Sequence, residues 1–270
     1  MKISNDYLLS GDGIIQMDCP KNKDKFKAGN LDTIVVHYTA GRSAESSAKF
    51  LCGEVKASAH LVIGREGEIY QLIPFNTIAW HAGDSAYGDR KWLNQYSIGI
   101  ELDNAGVLTE VGSEYQAWFG KKYQANDVVY ATHRNETSPR YWHTYTEQQI
   151  EACNQVCELL IHKYGIKIIL GHEEISPGRK QDPGPAFPLD RFRDNLLSQN
   201  RSDIPDKIEK DGEVLADFLN IREGAGVAFK KVAKALPQGT KVKVLEERNG
   251  WYKVETSIEG WVGKGHIKVD

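Results

Sequence analysis

The chain has 270 residues, 40% of them hydrophobic and 26% charged, with a net charge of −3. That length fits one medium domain and a small one, the composition is that of an ordinary soluble globular protein, and the charge gives no sign of nucleic-acid binding. No apolar run approaches the ~18 residues that span a membrane, so no integral membrane association is expected.

The opening MKISNDYLLSGDGIIQMDCP has one early lysine, but Asn5, Asp6, Asp12 and Asp18 interrupt any apolar core. It does not read as a signal peptide, so either a leader was removed or export uses another route. Thr33 to Tyr38 is a β-branched run bounded by Asn30-Leu31-Asp32 and Thr39-Ala40-Gly41, which predicts a buried central strand with His37 at its end. A histidine at a strand end beside a loop is either a packed structural residue or a ligand. Ser43 caps a short helix with Ala44, Ala48 and Leu51 on one face.

His60 to Gly64 and Glu68 to Ile73 flank Arg65-Glu66-Gly67, a hairpin signature. Trp80-His81-Ala82-Gly83 is a loop that reads equally as a stacking wall for a sugar or as a packed anchor. Ser97 to Leu102 predicts another strand. Gly99 marks a place where another backbone comes close, and Glu101 is a carboxylate in an apolar strand that needs a partner or a task. Residues 105–145 look irregular and rich in aromatics. A loop-like segment of that length reads as a lid or binding wall, and its aromatics argue against disorder. Trp142 and His143 are its candidate substrate contacts.

Thr146 to Gln149 reads as a capping box with Tyr145 and Ile150 as its staple. Ile150, Cys153, Val156, Cys157, Leu160 and Ile161 follow at helical spacing, and Gly165 ends the helix. The four cysteines do not form a disulfide framework at this length. Cys153 and Cys157 read as small buried hydrophobes rather than a zinc pair. Ile166 to Leu170 is a strand that delivers Gly171-His172. Asp190 caps a last helix running through Leu197.

The stretch Gly171 to Pro188, GHEEISPGRKQDPGPAFP, carries the chemistry. His172 is followed ten positions later by Asp182, which lies between Gln181 and Pro183-Gly184-Pro185, with Lys180 two residues before it. His37, His172 and Asp182 together make two imidazoles and one carboxylate. With a fourth position left for water, that is a catalytic zinc set. Zinc makes water ionise near neutral pH. Glu101 would take the water proton and Lys180 would neutralise the developing oxyanion.

VVHYTAG, SAHLVIGREGEIYQLIPF, AWHAG, SIGIEL and GHEEISPGRKQDPGPAFP resemble the type-2 N-acetylmuramoyl-L-alanine amidase family, in the family's order over roughly residues 30–198. The resemblance implies an α/β (α+β) domain, a mixed central sheet flanked by helices with zinc in a groove. It places zinc on His37, His172 and Asp182, the acid/base role on Glu101 and the transition-state role on Lys180. His60 and His81 also fall on recurrent motif positions and are read as groove lining, with Trp80 beside them. The implied reaction is hydrolysis of the amide between N-acetylmuramic acid and L-alanine in peptidoglycan or muropeptides. The alternatives are a recycling amidase for soluble anhydro-muropeptides and a recognition protein that binds without cutting. The implied place of action is the bacterial cell envelope, periplasmic or extracellular.

Residues 200–212 are polar, lack a periodic pattern and read as a linker between a catalytic domain at 1–199 and a small domain at 213–270. LNIREGAG, LPQGTKVKVL, NGWYKV and GWV resemble a bacterial SH3-type domain, a small all-β barrel. Such domains commonly target cell wall. Residues 213–270 hold ten Lys/Arg against eight Asp/Glu, so charge alone gives little adhesion. Trp251, Tyr252 and Trp261 are candidates for either wall contact or core.

Overall fold

The computed structural model describes residues 1–198, 206–224, 230–248 and 251–257. The chain divides into two compact units, Met1–Ser198 and Gln199–Asp270. In the first, a six-stranded sheet runs in the order Ile168–Gly171, Thr33–Tyr38, Ser97–Leu102, Leu61–Ile63, Ile69–Gln71, Ile14–Gln16. Neighbours are parallel except for the hairpin Leu61–Ile63 with Ile69–Gln71. Gly67 turns that hairpin at φ 89°, a conformation that favours glycine. The sheet is therefore mixed, as expected.

Alternation along the strands decides what faces the core and what faces the site. Ile34, Val36, Ile98, Ile100 and Leu102 share a core with Cys153, Val156, Cys157 and Leu160 of the helix Glu147–Tyr164, and with Phe192 and Leu196 of the helix Leu189–Ser198. Each large apolar side chain buried there contributes about 1.5–3 kcal/mol. Val35 packs with Ala82, Leu93, Leu170 and Ile175 in a separate cluster. By the same alternation His37, Ser97, Gly99 and Glu101 leave the sheet on the Val35 side.

The helix Glu147–Tyr164 starts with the Thr146 side chain accepting the Gln149 N–H, and Gly165 ends it in the left-handed region. The Gln149 amide does not complete a capping box. It is buried and donates to the carbonyls of Ile63 and Asp103, both at 3.0 Å. The last helix begins at Leu189, so Asp190 lies in its first turn rather than at its cap.

The segment 105–145 is not a loop. It forms a five-stranded antiparallel sheet in the order Lys122–Tyr123, Glu114–Ala117, Val107–Val111, Pro139–His143, Val128–Thr132. The strands are too short, two to five residues, for a clear alternating pattern. Cross-strand aromatic contacts support them: Tyr141 lies 4.7 Å from both Tyr115 and Tyr130. Cysteine spacing also hid a disulfide between Cys19 and Cys52, which ties the N-terminal segment to the end of the helix Ala44–Cys52. Cys153 and Cys157 are free and buried.

In the second unit, Asp206–Glu213, Lys241–Arg248 and Trp251–Glu255 form a three-stranded antiparallel sheet, and Phe218–Leu219 pairs with Leu236–Pro237. The first of these strands occupies the second half of the stretch read as a linker. Its backbone pairs with Lys241–Arg248 although its side chains, DKIEKDGE, carry no apolar alternation. Trp251 is half-buried and Tyr252 exposed, while Trp261 lies outside the described residues.

Candidate active site

Three side chains from three elements converge at the ends of the two outermost parallel strands. His37 is the penultimate residue of Thr33–Tyr38. His172 opens the single turn His172–Ile175 that follows the edge strand Ile168–Gly171. Asp182 arrives on the loop after that turn. His37 Nδ1, His172 Nδ1 and Asp182 Oδ2 form a triangle with all three edges 2.9 Å. All three residues are buried.

The outer nitrogens settle the tautomers. His172 Nε2 donates to the Ala82 carbonyl at 3.1 Å, which leaves Nδ1 as a lone pair. His37 Nε2 lies 2.9 Å from His81 Nδ1, and His81 Nε2 lies 3.3 Å from the Ser97 carbonyl. Read from the carbonyl inward, His81 donates to Ser97 and accepts from His37, so His37 also turns a lone pair to the cluster. Gly99 makes this possible, since a Cβ there would fall 2.3 Å from His81 Cγ. The close neighbour of Gly99 is thus an imidazole ring, not a backbone.

Two lone pairs and a carboxylate oxygen facing one another at this distance repel unless a cation or a proton lies among them. Burial works against ionisation of Asp182, yet the two imidazoles beside it hold its pKa below the usual carboxylate range. Burial, reinforced by the nearby His172, pushes His37 down to about 4. The donor set of two imidazole nitrogens and one oxygen fits zinc with an open position, and outer hydrogen bonds of the kind made by His81 and Ala82 are what orient metal-ligating histidines.

The triad opens on a cavity of about 660 Å³. Glu101 and Lys180 line it beside the triad. Glu101 is the register partner of His37, and its buried Oε2 has no hydrogen-bond partner in the protein. Burial, and then the negative charge of Asp182, push its pKa well above the ordinary value, against the opposing pull of Lys180.

The remaining expected contacts are placed differently. His81 borders the cavity but serves as the support behind His37. His60 is fully buried outside the cavity lining, with Nδ1 accepting the Gly99 N–H and Nε2 donating to Thr77 O. Trp80 and Trp142 also stand outside the lining. Trp80 leaves its indole half-exposed, and Trp142 is buried with its Nε1 donating to Ala131 O. His143 is buried against Tyr123, accepting the Ala105 N–H.

The five-stranded sheet does reach the cavity, through the turn between Glu114–Ala117 and Lys122–Tyr123. Trp118 and Phe119 line the wall there with Arg42 and Phe50. Trp118 is 80% exposed, and its Nε1 donates to Ala40 O at 2.9 Å. Arg42 donates to Phe119 O at 2.7 Å and lies over its ring. Sequence reasoning also missed Arg179. It bonds Ala82 O, Asp84 O and Ser176 Oγ, which closes the 82–84 loop over His172. The only signal for it was its place in PGRK.

Residues 27–185 match the N-acetylmuramoyl-L-alanine amidase family, and residues 217–268 match the bacterial SH3 domain. The chain is 36% identical over 141 residues to the 1,6-anhydro-N-acetylmuramyl-L-alanine amidase AmpD of Escherichia coli K12, covering 52% of this chain and 58% of that protein. It is 32% identical over 166 residues to the N-acetylmuramoyl-L-alanine amidase AmiD of the same organism, covering 58% of this chain and 50% of that one. These matches span between half and three fifths of the relatives' own lengths. A solved AmpD structure, a selenomethionine derivative, aligns at a TM-score of 0.47 and 27% identity, over 70% of this chain and 96% of that one.

Proposed function

Because the chain belongs to the N-acetylmuramoyl-L-alanine amidase family, we propose that it is a zinc hydrolase cutting the amide between N-acetylmuramic acid and L-alanine in peptidoglycan. The observation that carries this reading is the triangle of lone pairs on His37, His172 and Asp182 beside Glu101, whose buried Oε2 has no partner in the protein. His37, His172 and Asp182 hold the ion, and bound zinc supplies Lewis acidity toward the carbonyl and toward water. Glu101 accepts the proton of the attacking water and returns it to the leaving amine. A raised pKa suits a group that must both take and give a proton near neutrality. Lys180 stabilises negative charge as it grows on the carbonyl oxygen. Trp118, Phe119, Arg42 and Phe50 hold the substrate along the wall of the cavity.

The Cys19–Cys52 disulfide supports a place of action outside the reducing cytoplasm, since such bonds persist in oxidising compartments. The bacterial SH3 domain supports attachment to the wall polymer. A second reading, action on soluble anhydro-muropeptides, is favoured by the name of the AmpD relative. Digestion of purified sacculi and of anhydro-muropeptides in parallel, with products identified by mass, separates the two. Release of stem peptides from sacculi is the expected result. Zinc analysis of the wild type and of His172→Ala accompanies it: about one ion per chain in the first and a large loss in the second. Full occupancy in His172→Ala, or no stem-peptide release from either substrate, overturns the proposal.

A further inference from the structure

The loop that carries Asp182 is held at every residue from Gln181 to Gly184. Gln181 donates its amide to Glu136 Oε1 at 2.6 Å. The Asp182 carbonyl accepts the Glu173 N–H at 2.8 Å. The Pro183 carbonyl accepts the Tyr145 hydroxyl at 2.7 Å. Gly184 donates its N–H to Glu173 Oε2 at 3.1 Å, and a Cβ on Gly184 would meet the Trp142 ring at 3.0 Å.

Three of these grips come from the segment 105–145 itself: Glu136, Trp142 and Tyr145. The fourth, Glu173, is anchored by it. Glu173 and His133 are 2% and 1% exposed. His133 Nε2 lies 2.6 Å from Glu173 Oε2, and Arg134 Nε lies 2.9 Å from Oε1. Asn135 donates to the Glu173 carbonyl and its N–H meets His133 Nδ1. Both carboxylate oxygens of Glu173 are therefore used, as a buried carboxylate requires.

We infer that the segment 133–145 and Glu173 are positioning elements for the metal site: they preset the backbone on which Asp182 enters the triad. The inference rests on the proposed metal reading and extends it to residues that touch no substrate. A free loop would lose conformational entropy of about 1–2 kcal/mol per residue on binding an ion. The cradle removes that loss before the ion arrives. The segment 105–145 then has two tasks, one forming a cavity wall at Trp118 and the other supporting the third ligand.

The test measures zinc affinity of the purified full chain by competition with a chromophoric chelator, for wild type, Tyr145→Phe, Glu173→Ala and Glu173→Gln. Supporting residues behind metal ligands typically cost 10–100-fold in affinity when lost, so Glu173→Ala is expected to weaken zinc by about that factor. Tyr145→Phe removes one hydrogen bond and keeps the ring, and should weaken it by about 2–10-fold. Glu173→Gln keeps an acceptor oxygen and should fall between Glu173→Ala and wild type. The visible spectrum of the cobalt-substituted variants should shift with the ligand geometry. A purely structural role would instead lower the melting temperature of the metal-free protein and leave affinity and spectrum unchanged. Affinities within about two-fold of wild type in both Tyr145→Phe and Glu173→Ala overturn the inference. If Glu173→Ala does not fold, Tyr145→Phe combined with Glu136→Ala decides by the same criterion. A wild type that binds no zinc overturns the metal reading and this inference together, whereas tight binding by every variant overturns this inference alone.

Discussion

His37 and Glu101 stand side by side on neighbouring parallel strands, in direct register, and the buried Oε2 of Glu101 has no hydrogen-bond partner in the protein. Strand pairing alone thus brings a carboxyl group beside a histidine of the triad from 64 positions earlier in the chain. A buried oxygen without a partner is costly to keep, and the proposed role of Glu101 in catalysis would account for it.

Glu101→Ala and Lys180→Ala are each expected to lower kcat by about two to four orders of magnitude. Zinc content should stay that of the wild type, because neither side chain belongs to the triad. Steady-state kinetics with parallel metal analysis checks this. Near-normal kcat in either variant removes that residue from the mechanism.

Gly99→Ala tests the support behind His37. The added methyl would overlap His81, whose Nδ1 accepts from His37. Overpacking of this kind costs about 1–3 kcal/mol of stability, and the displaced His81 should release His37 from its tautomer. Weaker zinc binding together with a lower melting temperature is the expected result. Wild-type zinc affinity in a folded Gly99→Ala protein would show that His81 does not orient the ligand.

Trp118→Ala should raise KM with little change in kcat. The indole is 80% exposed and pinned at its edge, so its loss leaves the fold intact. Aromatic stacking contributes about 0.5–1.5 kcal/mol beyond burial, which corresponds to a rise in KM of about 2–12-fold. An unchanged KM on both sacculi and soluble muropeptide would remove Trp118 from the binding wall.

His143 gives a pH signature remote from the triad. Burial pushes its pKa down to about 3, with Arg65 and Lys121 adding to the effect. The unfolded chain binds the proton first, so the neutral ring contributes stability above its ordinary pKa of about 6.5 and loses that contribution as pH falls toward its folded value. The stability difference between wild type and His143→Asn should therefore shrink between about pH 6.5 and 3, by at most ~1.4 kcal/mol per pH unit. Urea unfolding of the metal-free proteins at several pH values reads this directly. A constant difference would mean that His143 protonates freely in the folded state.

Deleting residues 206–270 should leave turnover of a small soluble muropeptide nearly unchanged and weaken action on sacculi. His37, His172, Asp182, Glu101 and Lys180 all lie in the unit Met1–Ser198, which has its own core. A tethered wall binder raises effective concentration at an insoluble surface without altering the site. A truncated protein that is folded and zinc-loaded, yet inactive on the small substrate, would give the second unit a part in substrate selection.

The sequence alone carried five of the six strands of the central sheet, their faces and the ligand candidates. In Thr33–Tyr38 and Ser97–Leu102 the side-chain period is two, so Ile34, Val36, Ile98 and Ile100 on one face place His37 and Glu101 on the other without any knowledge of the fold. The Pro and Gly around Asp182 likewise marked a shaped loop within a few residues. Tertiary structure decided the rest. Trp118 rather than Trp142 borders the cavity because the docking of its hairpin turn on Ala40–Arg42 is a contact across nearly 80 positions. Glu173 meets His133 across 40 positions, and Cys19 meets Cys52 across 33. Gly99 matters because a ring from another loop lies on it. Periodicity is a local property of one element, legible wherever that element is long enough to repeat. Contacts between elements depend on how separately formed surfaces pack, and no spacing within either partner encodes that.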